Sequence, residues 1–199
     1  MVMNFLGHIY LTGTDKELLL GNFMADSIKG KSYLDYPIPI QKGVLFHRFI
    51  DSYTDSHSAF RKSTAKLHAD YSHYSGVIVD IFYDHFLAKY WKEYHSTPLE
   101  TFAQDFYTFI RNRYSYLTPE MQYIFPYMHK NNWLMRYTTL EGIQTTLTEM
   151  NNRIGKEFNL HKATKNLQEE YDSFHKDFKR FFMDIQEESK LKRQELNTL

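Results

Sequence analysis

The sequence predicts an all-α fold in a single domain. Among its 199 residues only eight are Gly and five are Pro, and these are scattered along the chain. Apolar residues recur at three- and four-residue spacing almost throughout, whereas the alternation of β-branched residues that marks strands is scarce. The length is that of one domain, which typically has about 100–200 residues. We therefore expect residues 1–199 to form a single-domain helical bundle.

Caps and prolines delimit the first helices. Thr14 can cap a helix over 15–29, and Gly30 can end it in the left-handed conformation common after a helix C-terminus. Pro37 and Pro39 interrupt the chain next, because a residue before proline avoids the α region. Apolar spacing then predicts three further helices before Pro98, over 40–54, 58–70 and 75–94.

The helical pattern continues to the C-terminus. Pro119 favours the start of a short helix, since proline is well tolerated at the first helical position. The other predicted helices of this half span 99–114, 140–154 and 163–192. In the last of them, four aromatic residues at i, i+3, i+7 and i+10 form a stripe expected to face the core, namely Tyr171, Phe174, Phe178 and Phe181. Residues after about 190 are polar and charged, and we expect them to fray.

Composition narrows the function. Lys plus Arg and Asp plus Glu both number 24, and this balance argues against a dedicated nucleic-acid binder. No apolar run is long enough to span a membrane and no secretory signal is visible, so we expect a cytoplasmic protein. Cysteine is absent. Any metal site must therefore be built from His, Asp and Glu, which suit hard or borderline divalent ions.

Two carboxylates lie inside an apolar helical stripe. Asp80 and Asp84 share a face with Val77, Ile81 and Leu87 at three- and four-residue spacing. A buried carboxylate without a partner is costly, so each of the two needs a hydrogen-bond network, an arginine or a metal ion. The alternatives to a functional role are bonds to backbone groups or to Arg48 or Arg136. The neighbouring residue, His85, also lies among apolar side chains.

A second group lies around His47. His47 and Asp51 are four residues apart, so both can point at one ion. Asp51 and Asp55 have the same spacing, and like charges there cost roughly 0.2–0.5 kcal/mol unless a cation relieves them. The alternative is that Arg48 pairs with one aspartate while His47 fills a core position.

A third group completes the pattern. Asn22 and Asp26 share a face with Leu19 and Phe23, and His8 is a weaker candidate near the N-terminus. Acidic residues that point inward from several helices repel one another unless a divalent cation neutralises them. The pattern predicts an inward-facing metal site, and it does not distinguish manganese, iron and zinc.

Five short segments follow one another through the first two thirds of the chain. They comprise Asn4-Phe5-Leu6 with His8; Gly21-Asn22 with Ala25-Asp26 and Lys29-Gly30; His47-Arg48 with Ile50-Asp51 and Thr54-Asp55; Asp80 with Asp84-His85-Phe86-Leu87 and Trp91; and Trp133-Leu134 with Tyr137. In these segments and in their order the sequence resembles the acyl carrier protein phosphodiesterases, which remove the phosphopantetheine arm from holo acyl carrier protein. After Leu140 the likeness is only to a helical tail.

The resemblance implies a fold and a cofactor. The family is regarded as a divergent relative of the HD-type metal phosphohydrolases, which are all-helical and depend on a divalent ion, here expected to be Mn²⁺ with Fe²⁺ or Zn²⁺ as alternatives. This chain lacks a contiguous His-Asp doublet and has Asp84-His85 in the reverse order. The expected ligands are therefore taken from the nearer family's segments: His8, Asp26, His47, Asp51 and Asp84.

The resemblance also implies a reaction, the hydrolysis of the phosphodiester that joins a carrier-protein serine to 4′-phosphopantetheine. His85 is expected to protonate the serine leaving group, because an alkoxide leaves poorly without an acid. Arg48 is expected to bind the phosphate or clamp Asp51, and Asp80 is placed with the catalytic residues. Acyl carrier proteins are acidic, so a basic docking face is expected, and the local basic residues are Lys42, Arg48, Arg61, Lys62 and Lys66.

Two other functions stay open on the sequence. A metal phosphohydrolase acting on a nucleotide or another small phosphodiester would use the same inward residues with a smaller opening. A non-catalytic helical interaction protein would satisfy its buried acids without metal.

Overall fold

Helices form most of the chain that the computed structural model describes, residues 5–154 and 158–198. The α-helices in these ranges are α1 (Phe5–Thr12), α2 (Lys16–Met24), α3 (Ile38–Ser56), α4 (Ser58–Tyr71), α5 (Ser75–Lys89), α6 (Leu99–Arg111), α7 (Pro119–Lys130), α8 (Trp133–Arg136), α9 (Leu140–Ile154), α10 (Ala163–Glu169) and α11 (Tyr171–Thr198). The predicted all-α fold is confirmed. None of the helices in the described ranges is both long enough and apolar enough to cross a membrane.

Several boundaries differ from the prediction. Asp15, not Thr14, caps α2, because its carboxylate accepts from the amides of Glu17 and Leu18. α2 ends at Met24, where a 3₁₀ turn over Ala25–Ser27 takes over. α1 and α8 were not predicted, since eight and four residues are too few for a clear period. Asn4, in the first of the five segments, lies outside the described residues.

The C-terminal helix is longer than predicted at one end and shorter at the other. The predicted helix over 163–192 is two helices, α10 and α11. The expectation that residues after about 190 fray is wrong, because α11 continues to Thr198 and Leu196 is buried. Arg193 helps to hold this end, since its guanidinium donates to the carbonyl of Leu11 at the end of α1.

The short helix α1 lies in the core. It is buried on nearly every side, as is typical of a helix surrounded by others, and it packs against α2, α5 and α11. The first amides of a helix have no partner within it. Here Asp84 of α5 fills that role, because its carboxylate oxygens lie 2.9 Å from the Leu6 amide and 2.7 Å from the Gly7 amide.

Two glycines let α2 and α3 pack backbone against backbone. A Cβ added to Gly21 would overlap the carbonyl oxygen of Ile40, and one added to Gly43 would overlap that of Leu18. Glycine is the residue that permits such a close approach. This contact brings the C-terminal half of α2 alongside the middle of α3, where His47 lies.

The aromatic stripe of α11 faces the core as predicted. Phe174, Phe178 and Phe181 are buried, and Tyr171 is partly buried. The buried Asp177 between them binds two lysines of α4, with its oxygens 3.4 Å from Lys62 Nζ and 2.8 Å from Lys66 Nζ.

Candidate metal centre

Two helices and one turn bring four of the predicted ligands together. His8 of α1 and His47 and Asp51 of α3 offer ligand atoms that all lie within 4.8 Å of one another. The two carboxylate oxygens of Asp51 lie 3.3 Å from His8 Nε2 and 3.2 Å from His47 Nε2. Asp26, in the 3₁₀ turn after α2, places an oxygen 3.1 Å from His47 Nε2. The predicted grouping of these four residues is therefore observed in the structure.

Asn22 of α2 orients both imidazoles from behind. Its side-chain nitrogen donates to the carbonyl of His8 (2.9 Å) and to Thr12 Oγ1 (2.7 Å), and this fixes the position of the amide oxygen. That oxygen accepts from His8 Nδ1 at 3.2 Å and from His47 Nδ1 at 2.9 Å. Both rings therefore carry their proton on Nδ1 and turn Nε2 toward the carboxylates. This is the tautomer in which a histidine binds a metal through Nε2.

The arrangement needs positive charge. With Nδ1 protonated, a neutral imidazole presents a lone pair to the carboxylate oxygens beside Nε2, which is repulsive unless a proton or a cation lies between them. Burial lowers the pKa of His47, but hydrogen bonds to Asp26 and Asp51 outweigh it and raise the pKa to about 9. Burial raises the pKa of Asp26 and of Asp51, and the histidines more than offset it, so both pKa values lie below their usual range. The two carboxylates thus give the cluster a negative charge that fits a divalent cation.

The cluster opens into a cleft of about 200 Å³ that further acids line. Asp80 of α5 and Asp55 of α3 face this space together with Thr54. Burial, followed by the negative charges of Asp51 and Asp84, raises the pKa of Asp80 well above its usual range. Asp80, which the sequence analysis placed with the catalytic residues, therefore lines the same cleft as the clustered residues.

The structure places the other two predicted residues of α5 elsewhere. Both oxygens of Asp84 bind the amides at the start of α1, so its role here is the backbone role that the sequence left open as an alternative. The ring of His85 is buried, with Nδ1 2.7 Å from the carbonyl oxygen of Tyr137 and Nε2 2.9 Å from the hydroxyl of Tyr171. With both nitrogens so engaged and with no part in lining the cleft, His85 is not positioned to protonate a substrate.

Arg48 also differs from expectation. Its guanidinium donates to the carbonyls of Ile28 (3.1 Å) and Gly30 (2.8 Å) and lies 5.1 Å from the centroid of the Tyr33 ring. It therefore holds the segment after α2, and the partners of Asp51 are the two histidines.

The donor set fits a divalent ion. Two imidazole nitrogens and carboxylate oxygens are ligands of manganese, iron and zinc alike. Asp51 is 47% exposed and Asp26 29% exposed, so the ion would face the cleft on one side. A site held by protein on one side and open on the other is typical of catalytic metals.

Sequence reasoning placed Asn22 on the correct face of its helix but did not assign it to the site. Its distance of four residues from Asp26 was visible. Its contact with both histidines depends on the Gly21–Gly43 approach of α2 and α3, for which the sequence offered no measure.

The fold is all-helical, and histidines and aspartates from separate elements meet at one place. This combination is that of helical proteins with a site that fits a divalent ion. Comparison with known proteins identifies the family. The acyl carrier protein phosphodiesterase family model matches residues 3–185, and the chain belongs to this family. The resemblance read from the five segments and the class of phosphoric diester hydrolase are thereby confirmed.

Individual relatives match most of the chain. An acyl carrier protein phosphodiesterase of Yersinia pestis is 32% identical over 76% of this chain and 79% of its own. One from Pectobacterium atrosepticum is 29% identical over 90% of this chain and 94% of its own. One from Serratia proteamaculans is 27% identical over 94% of this chain and 98% of its own. No match was found among solved structures.

Replacing Asn22 by leucine should weaken manganese binding about 10- to 100-fold, because loss of the partner behind a ligating histidine typically has that effect. The substitution removes the acceptor that holds both Nδ1 protons, while leucine retains the approximate volume. Isothermal titration of the metal-free protein with Mn²⁺ measures the change in Kd. Asn22→Asp, which keeps an acceptor at this position, should lose less affinity. A folded Asn22→Leu protein with the wild-type Kd would contradict the role of Asn22.

Proposed function

We propose that this protein hydrolyses the phosphodiester between a serine of holo acyl carrier protein and 4′-phosphopantetheine, with a bound divalent ion. The observation that carries the proposal is the cluster of His8, His47 and Asp51 at the base of an open cleft, in a chain that belongs to the acyl carrier protein phosphodiesterase family. The products are the apo carrier protein and free 4′-phosphopantetheine.

His8, His47 and Asp51 would hold the ion, and Asp26, with an oxygen 3.1 Å from His47 Nε2, would bind it as a further ligand. Manganese is the ion we favour from the family resemblance, with Fe²⁺ or Zn²⁺ compatible with the same ligands. A bound divalent ion lowers the pKa of coordinated water and stabilises charge on phosphate oxygens. Asn22 keeps both imidazoles turned toward the ion.

Asp80 is the residue we assign to the leaving group. In the overall reaction a water oxygen bonds to phosphorus, the bond from phosphorus to the serine oxygen breaks, and that oxygen gains a proton. Asp80 lines the same cleft as Asp51, on a helix that does not supply the clustered ligands. It therefore takes the role of acid that the sequence analysis gave to His85.

Removal of metal tests the proposal. Chelation followed by dialysis should abolish release of 4′-phosphopantetheine from holo carrier protein, and added Mn²⁺ should restore it. Mass spectrometry of the carrier detects the loss of the arm directly, and metal analysis of the same samples verifies that the ion was removed. Full activity in protein shown to be free of metal would reject the metal-dependent mechanism.

A further inference from the structure

A basic and apolar strip runs along the connection from α2 to α3. It consists of the exposed lysines Lys29 and Lys31 and the exposed apolar residues Leu34 and Ile38. The exposed Asp35 lies between the two apolar residues, so two lysines against one aspartate leave this segment with an excess of one positive charge. Leu34 is 54% exposed and Ile38 58% exposed, which is unusual for large aliphatic side chains in so short a segment. Exposed apolar residues next to charged ones are characteristic of protein interaction sites.

The strip lies beside the metal centre. Lys29 Nζ donates to the carbonyl oxygen of Asp26 at 3.0 Å, so the strip begins next to a cluster residue. Arg48, the neighbour of His47 in α3, binds the carbonyls of Ile28 and Gly30. A protein whose phosphodiester enters the cleft would therefore come close to this strip.

The strip is also held in place. The side-chain nitrogen Nε2 of Gln41 donates to the carbonyls of Leu34 (3.2 Å) and Tyr36 (2.8 Å), and Arg48 lies over the ring of Tyr33. A surface ordered before binding loses less conformational entropy when a partner docks.

The basic face predicted from the sequence is only partly free for docking. Lys66 binds the buried Asp177 at 2.8 Å and its side chain is only 14% exposed. Lys62 lies 3.4 Å from the same carboxylate but is 64% exposed, and Arg61 is exposed while it donates to the carbonyl of Asp55. The docking face over residues 41–68 therefore stays a prediction, with Lys66 taken up by the packing of α11.

We propose that the strip of Lys29, Lys31, Leu34 and Ile38 is the docking surface for the acyl carrier protein that bears the substrate. The inference rests on the proposed function. An acidic partner complements the two exposed cations, which precede the two exposed aliphatic side chains in the sequence, and the attachment point of its phosphodiester must reach a cleft adjacent to the strip. Complementary charges mainly accelerate encounter and fix orientation, whereas the apolar pair supplies buried area.

Two double variants test the surface, Lys29→Glu with Lys31→Glu and Leu34→Ser with Ile38→Ser. We expect each to raise KM for holo carrier protein by about tenfold or more with little change in kcat, because loss of rim charge or of buried apolar area weakens association. The lysine variant should also lose the salt dependence of KM. Hydrolysis of bis(p-nitrophenyl) phosphate, which needs no docking surface, should not change. Lys165→Glu with Lys179→Glu, a matched pair of charge reversals at exposed lysines of α10 and α11, should leave both activities unchanged.

Three results would overturn the assignment: an unchanged KM in both strip variants, an equal rise in the control, or a change in oligomeric state that identifies the strip as a contact between copies. Direct titration with holo carrier protein separates docking from turnover. If the wild-type protein binds the carrier through the strip but releases no 4′-phosphopantetheine, the proposed function fails and the docking surface stands.

Discussion

Replacing Asp51 by asparagine should lower phosphodiesterase activity by more than about a hundredfold, since removal of a ligand is at least as damaging as removal of its outer partner. Asp51 is the carboxylate that contacts both histidines, through different oxygens. Asparagine retains the shape of the side chain but removes the negative charge that balances a divalent ion. We expect metal content to fall in parallel with activity.

Asp55 provides a matched control for Asp51. It lies one helical turn further along α3 and lines the same cleft, but it is not among the clustered ligand atoms. Asp55→Asn should therefore keep its metal and most of its activity. Metal analysis and initial rates on holo carrier protein for both variants give the comparison. Equal losses in the two would mean that general negative charge, and not ligation by Asp51, supports activity.

The second large effect concerns Asp84 and pH. Burial raises the pKa of Asp84 to about 7 in the folded protein, although the amides of Gly7 and Leu6 lower it. Its pKa in the unfolded chain is about 4. Between these values the folded protein binds a proton that the unfolded chain has released, so the contribution of Asp84 to stability is fully present below pH 4 and is lost as pH rises through 7. One such proton contributes a slope of up to about 1.4 kcal/mol per pH unit.

Asp84→Asn should flatten this slope. Asparagine cannot ionise, so the part of the pH dependence that comes from Asp84 disappears, while other titrating groups remain in both proteins. Chemical denaturation of the wild-type and variant proteins at several pH values between 4.5 and 7.5, with a chelator present, measures the difference. Parallel curves would show that Asp84 does not titrate in this range. If Asp84→Asn keeps the wild-type Kd for Mn²⁺, the result agrees with the capping role of Asp84. If the variant loses metal binding, Asp84 is a metal ligand.

Helical periodicity was sufficient to predict the long elements of the fold. α9 begins and ends where the pattern placed it, and the aromatic stripe of α11 faces the core. α1 could not be predicted in the same way, because a helix of eight residues that is buried on nearly every side shows no clear period. Its start depends on Asp84, which is distant in sequence and reaches it only after α5 has packed.

The candidate site was predictable as a set but not role by role. Inward acids and histidines at four-residue spacing identified His47 and Asp51 correctly as neighbours. Spacing could not distinguish Asp80 from Asp84, because residues four apart share one helix face. The position of α1 decides which of the two carboxylates contacts backbone amides and which lines the cleft. His85 resembled a catalytic acid in sequence since its partners, the carbonyl of Tyr137 and the hydroxyl of Tyr171, are far along the chain.

The contact of Gly21 with Gly43 fixes the distance between the two helices α2 and α3 at the candidate metal centre. Side-chain packing can usually absorb a change in volume through small rearrangements. Two backbones already in contact cannot rearrange in this way. The separation between the helix that carries Asn22 and the helix that carries His47 is therefore a rigid dimension of the fold. Substitutions of core residues elsewhere can be absorbed by repacking, whereas a side chain at either glycine would push apart the helices that carry Asn22 and His47.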